Sequence, residues 1–101
     1  MNGNKQASVI PQVWNKRDRH TPPDAVYVGR PTKWGNPFVI GKDGTRKQVI
    51  SRYEDWVCAG IEVGDLNLAE LRGKDLVCWC APLACHGDVL LRLANAPPDQ
   101  N

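Results

Sequence analysis

Apolar positions along the chain form short patches between polar, glycine and proline punctuation. Ala25-Val26-Tyr27-Val28 is a β-favouring run closed by Gly29 and predicts a strand. Phe38-Val39-Ile40 predicts a second short strand, and Gly41-Lys42-Asp43-Gly44 a turn. Thr45 with Gln48 three residues on matches a capping box. Behind it Val49, Ile50, Tyr53, Trp56 and Val57 recur on one helical face, and Gly60 is the expected stop. Asn67 and Glu70 repeat the capping logic before a short helix over 68–72, closed by Gly73. The run DLVCWC, Asp75 to Cys80, has the length of a strand, and Ala81-Pro82-Leu83-Ala84 reads as a loop. Val89, Leu90, Leu93 and Ala94 share a face of a helix from His86 to Asn95, which Pro97 and Pro98 forbid to continue. Residues 1–13 carry no periodic pattern and are expected to fray. Asn15 to Asp24 is polar, basic and broken by Pro22 and Pro23, hence a loop.

This order of elements predicts a small single-domain α/β fold. The expected sheet is Rossmann-like, in two or three layers, with short, mostly parallel strands and about three helices. The expected boundaries are a flexible N-terminal segment over 1–14, the domain over 15–96 and a tail over 97–101. The last strand–loop–helix unit resembles half of a doubly wound sheet, which binds ligands at the carboxyl ends of its strands.

A length of 101 residues suits one domain rather than two. No apolar run approaches the roughly 20 residues of a membrane span. Met1 to Ile10 lacks the apolar stretch of a secretory leader, so a cytoplasmic location is expected. The first 35 residues carry a net +4 and the rest −2. The basic front half suits a phosphate partner, although a solvated surface explains the same charges.

Three of the four cysteines sit within eight residues, Cys78-Trp79-Cys80-Ala81-Pro82-Leu83-Ala84-Cys85, with His86 adjacent. Strand alternation puts Cys78 and Cys80 on one side. Three readings follow. Cys78, Cys80, Cys85 and His86 are a Cys3His ligand set, for which zinc is the fitting ion. Alternatively, Cys85 at a helix mouth is a thiol nucleophile, its thiolate favoured by the dipole, with His86 as proton acceptor. In the third, the cysteines only fill the core. Asp88 suits the first turn of that helix. Cys58, alone, is expected in the core, and His20 on a surface loop.

The loop Gly29 to Phe38 holds Arg30 and Lys33 to meet an anion, Trp34 to stack on a base, and Asn36 to hydrogen-bond. An anchored surface loop with Trp34 as a core plug is the competing reading. The segment is neither a Walker loop nor a dinucleotide fingerprint.

The segments YVGRPTKWGNPF and CWCAPLACHGDVL, with Arg46 and Tyr53 on the helix between, resemble the bacterial and phage domain-of-unknown-function family 4326. That resemblance implies no established reaction, and its phage members suggest a nucleotide or nucleic-acid setting. Two functions are therefore expected. One is a site of Arg30, Lys33, Trp34, Asn36, Cys78, Cys80, Cys85 and His86 that binds a phosphate-bearing ligand. That ligand is a nucleotide or nucleic-acid component, and any chemistry depends on thiol or metal. The other is a non-catalytic phage or bacterial accessory protein that binds nucleic acid or a protein, with structural cysteines.

Overall fold

Residues 10–96 are described by a computed structural model of the chain. The expectations for residues 1–9 and for the tail 97–101 fall outside these residues. Strands β1 (Val13–Asn15), β2 (Val26–Tyr27) and β3 (Leu76–Cys78) form a parallel sheet in the order β1-β3-β2. Val13, Trp14 and Asn15 stand opposite Leu76, Val77 and Cys78, and Val26 and Tyr27 opposite Leu76 and Val77. All three strands thus end at one edge, which carries Asn15, Tyr27 and Cys78. Every residue of β3 is buried, as its unbroken apolar run requires of a central parallel strand.

Two α-helices and one 3-10 turn accompany the sheet. Helix α1 (Arg46–Glu62) starts at Thr45, and both bonds of the capping box form: Gln48 N–H to Thr45 Oγ1 and Thr45 N–H to Gln48 Oε1. It buries Val49, Tyr53 and Val57, while Trp56 lies at the margin, 37% exposed. Helix α2 (His86–Ala94) is capped by Cys85 and packs on β1, β3 and α1. The 3-10 turn Leu68–Glu70 occupies the place of the short helix expected there, capped by Asn67. Val28, Tyr53, Val57, Leu71, Leu76 and Leu90 are fully buried between these elements.

Several expectations change. The sheet contains β1, which lies in the stretch read as patternless. Its three residues are too few for a period, and pairing with β3 defines them. Phe38 to Ile40 form no strand, because Asp43 folds back on Val39 through both its backbone N–H and its carboxylate. Gly60 does not stop α1. A Cβ there would approach Leu66 Cδ1 to 2.8 Å, so this glycine admits Leu66, and the chain turns at Gly64, φ +88°. Cys58 is exposed on α1 and fills no core.

Three long-range bonds from two side chains position the loops at the carboxyl edge. The Tyr53 hydroxyl donates to the Trp34 carbonyl at 2.6 Å and is buried, which ties the loop over 29–38 to α1. The Asn15 side chain donates to the carbonyls of Trp79 and Ala81, at 3.0 and 2.7 Å, which fixes the start of the segment after β3. Replacing Asn15→Ala removes both donors. The expected loss is about 1–3 kcal/mol of unfolding free energy, measured by urea denaturation. A loss within about 0.3 kcal/mol of zero would contradict the clamp.

Candidate functional site

The loop over 29–38 and the segment over 78–86 meet around one hollow of about 400 Å3 at the carboxyl edge of the sheet. Its wall includes Cys78, Cys80, Cys85, His86, Arg30, Asn36 and Arg46, together with the apolar surfaces of Tyr27, Phe38, Val39, Ile40, Ile50 and Trp79. Among the described residues no carboxylate lines it.

Each predicted residue has a definite place. Arg30 donates from Nε to the Asn36 carbonyl (2.7 Å) and from Nη2 to that of Phe38 (3.1 Å). These bonds use two of its five N–H groups and brace the loop. Asn36 is 8% exposed. Its Nδ2 donates to the Val49 carbonyl and its Oδ1 accepts from Phe38 N–H, so it joins the loop to α1. Trp34 is buried, and its indole lines the core rather than the hollow. Lys33 is also absent from the wall and pairs with Glu70 at 2.9 Å on the surface. Of the loop residues predicted to bind, the structure therefore brings Arg30 and Asn36 to the hollow and leaves Lys33 and Trp34 outside. His20 is exposed and lies away from it.

The sulfur atoms of Cys78 and Cys85 are 2.9 Å apart and buried. Cys78 ends the central strand. Cys85 caps α2, accepting at Sγ from Gly87 N–H (3.3 Å), while its own N–H donates to Asp88 Oδ2. Asp88 is thus a capping acid. The two sulfurs share a hydrogen bond in which either thiol can donate, and the backbone N–H groups of Cys80 and Ala81 favour charge on Cys78. Together they pull the Cys78 thiol down to about 6 against its burial. The same shared proton holds the Cys85 thiol far above its usual range. The two shifts run in opposite directions and favour charge on Cys78 before Cys85.

His86 is buried against the edge of Tyr53, ring centroids 4.9 Å apart. Its Nε2 lies 2.7 Å from the Val28 carbonyl. A carbonyl only accepts, so Nε2 carries the proton. Burial pushes the imidazole below its ordinary range and keeps it neutral. Nδ1 has no hydrogen-bond partner among the described residues. The four-ligand set does not assemble: among the described residues no three His, Cys, Asp or Glu side chains gather where one ion would sit. The reason is local, since His86 turns to Val28 and Cys85 to the end of its own helix.

Sequence reasoning missed Arg46, Tyr27 and Trp79 as wall residues. Arg46 opens α1, a position where the dipole disfavours a cation, and no acid stands in that first turn. That local mismatch was the available signal. Its Nη1 donates to the Ala84 carbonyl at 2.9 Å. Trp79 follows the last residue of β3, where strand alternation ends, and it lines the hollow beside Cys78 and Cys80, 51% exposed. Its Nε1 donates to the Tyr27 hydroxyl, which donates in turn to the Arg30 carbonyl. Gly29 permits this fold-back of Tyr27, since a Cβ there would come within 2.5 Å of the hydroxyl oxygen. Lys16 and Arg17 lie over the rings of Tyr27 and Trp79, at 5.1 and 5.5 Å.

Comparison with known proteins agrees with this layout of motifs. Residues 12–96 match the family model described as a domain of unknown function, DUF4326. The chain is also 36% identical over 74 residues to the uncharacterised 12.4 kDa protein in the nrdA-td intergenic region of Enterobacteria phage T4. That alignment covers 69% of this chain and 67% of the phage protein. No solved structure matches the chain. The match spans the sheet, both helices and the whole wall of the hollow, and the chain belongs to the DUF4326 family.

Proposed function

We propose that the hollow binds a phosphate-bearing ligand, a nucleotide or a component of nucleic acid. One observation carries this reading: two arginines and the first residues of two helices line a hollow that, among the described residues, no carboxylate lines. Arg46 stands at the start of α1, and Cys85 and His86 at the start of α2. The caps spend part of the first-turn N–H groups, and the partial positive charge of the two N-termini still favours an anion. Arg30 and Arg46 keep N–H groups beyond those spent on the fold, which suits bidentate contact with phosphate oxygens. The apolar wall of Phe38, Val39 and Ile40, with Tyr27 and Trp79, offers a flat surface to a base. Trp79 takes the stacking role first given to Trp34. The volume of about 400 Å3 is in the range of small-ligand sites.

The Rossmann-like reading of the sheet belongs to the same proposal. Ligands of doubly wound sheets lie beyond the carboxyl ends of parallel strands, and this hollow lies at that edge. If the ligand is transformed, thiol-dependent transfer or hydrolysis is the fitting class. Cys78 would supply the thiolate, and Nδ1 of neutral His86 the proton-accepting group. A non-catalytic nucleic-acid accessory is the second reading. Lys16 and Arg17 over Tyr27 and Trp79 favour it, because they extend positive charge outward from the hollow.

Calorimetry with a nucleoside monophosphate and the matching nucleoside tests the proposal. The phosphate form should bind at least about tenfold tighter, and Arg46→Gln should reduce that preference by about tenfold, with the melting curve as a check on folding. Equal affinity for the two forms would refute a phosphate site. A steep loss of oligonucleotide affinity with salt would favour the second reading.

The thiol assignment has its own titration. Thiolate ultraviolet absorbance should rise by one group through about pH 6, with Cys78 protonated below and ionised above. Cys85→Ala removes the donor to Cys78 and should move that midpoint upward. A first ionisation in the ordinary thiol range near ~8.5 would contradict the pairing.

A further inference from the structure

We propose that Cys78 and Cys85 are a redox-active dithiol that exchanges with a small anionic disulfide held in the hollow. This goes beyond the phosphate reading and stands without it.

The geometry of the pair carries the inference. The two sulfurs face each other at 2.9 Å, and a shift of under about 1 Å brings them to the ~2.05 Å of a disulfide. The chain between them is only six residues long and is held at both ends: Asn15 grips the carbonyls of Trp79 and Ala81, and Arg46 that of Ala84. Closing the bond therefore needs no rearrangement of the loop. Both cysteines line the hollow but are only 1% and 3% exposed, so its wall must open slightly to admit a small disulfide, whereas Cys58 is exposed on α1. Asymmetry completes the pair. Cys78 receives donors from three directions and attacks, while Cys85 keeps its proton until the second step. Two arginines in the wall, with no carboxylate there among the described residues, favour a disulfide that carries negative charge.

The exchange balances. The Cys78 thiolate attacks one sulfur of the external disulfide, and the first external thiolate leaves and takes up a proton. Cys85 then loses its proton to solvent, and its sulfur attacks Cys78 Sγ in the mixed disulfide. The second external thiolate leaves and is protonated. Two protein thiols are oxidised to one disulfide, and one external disulfide is reduced to two thiols.

The test uses the reduced full chain with Cys58→Ser, incubated with oxidised glutathione, trapped by alkylation and mapped by mass spectrometry. The expected product has lost two hydrogens and holds a Cys78–Cys85 link. Free, alkylated Cys78 and Cys85 would overturn the proposal, including when glutathione appears on Cys80 alone. Cys85→Ser keeps a good N-cap and should trap glutathione on Cys78, whereas its absence there would overturn the order of attack. Cystamine, a cationic disulfide, should react at least about tenfold more slowly than oxidised glutathione. Equal or faster reaction would overturn the anionic class of substrate.

Discussion

The contact between the Cys78 and Cys85 sulfurs ties the tip of the central strand to the first turn of α2. Everything at the carboxyl edge hangs on that junction. It fixes where α2 begins, and hence where His86 reaches the Val28 carbonyl at the end of β2. It also makes a buried pair of ionisable groups tolerable, because one proton shared between two sulfurs leaves only one charge to solvate. Backbone N–H groups from Cys80 and Ala81 supply that solvation in place of water. An alanine at either position would abolish this arrangement.

Around the junction the fold spends its polar side chains on carbonyls. Asn15, Arg30, Asn36 and Arg46 each donate to loop or helix carbonyls, and Tyr53 does the same from the core. These bonds stiffen two proline-containing loops that lack regular structure and hold their surfaces apart as a hollow. The arginines serve twice. Part of each guanidinium fixes the loop, and the remainder gives the wall its positive potential.

Much of this was legible in the sequence, and the reasons are local. Thr45 with Gln48, and the spacing of Val49, Tyr53 and Val57, announced α1 because capping and periodicity act within a few residues. The run DLVCWC announced β3, since a central parallel strand is apolar on both faces. The two motifs predicted to form a site do meet in one hollow. Long-range pairing hid the rest. β1 exists only because β3 lies beside it, and its three residues carry no pattern of their own. Trp34 and Lys33 sit in the same basic, aromatic loop as Arg30, yet one is drawn into the core and the other to Glu70. Loop composition cannot sort inward from outward positions. Cys85 looked like a nucleophile standing alone at a helix mouth, and its contact with the Cys78 sulfur at 2.9 Å was not legible from that position.

The central claim is that a positively charged hollow at this sheet edge receives an anionic ligand beside the sulfur pair. A nuclear magnetic resonance titration of the labelled protein with a nucleoside monophosphate addresses it most directly. The account predicts saturable shifts concentrated in the backbone amides of residues 29–38 and 78–87 and in the side-chain N–H groups of Arg30 and Arg46. Shifts confined to Lys42, Lys47 and the outer face of α1, or none at all at saturating ligand, would contradict it.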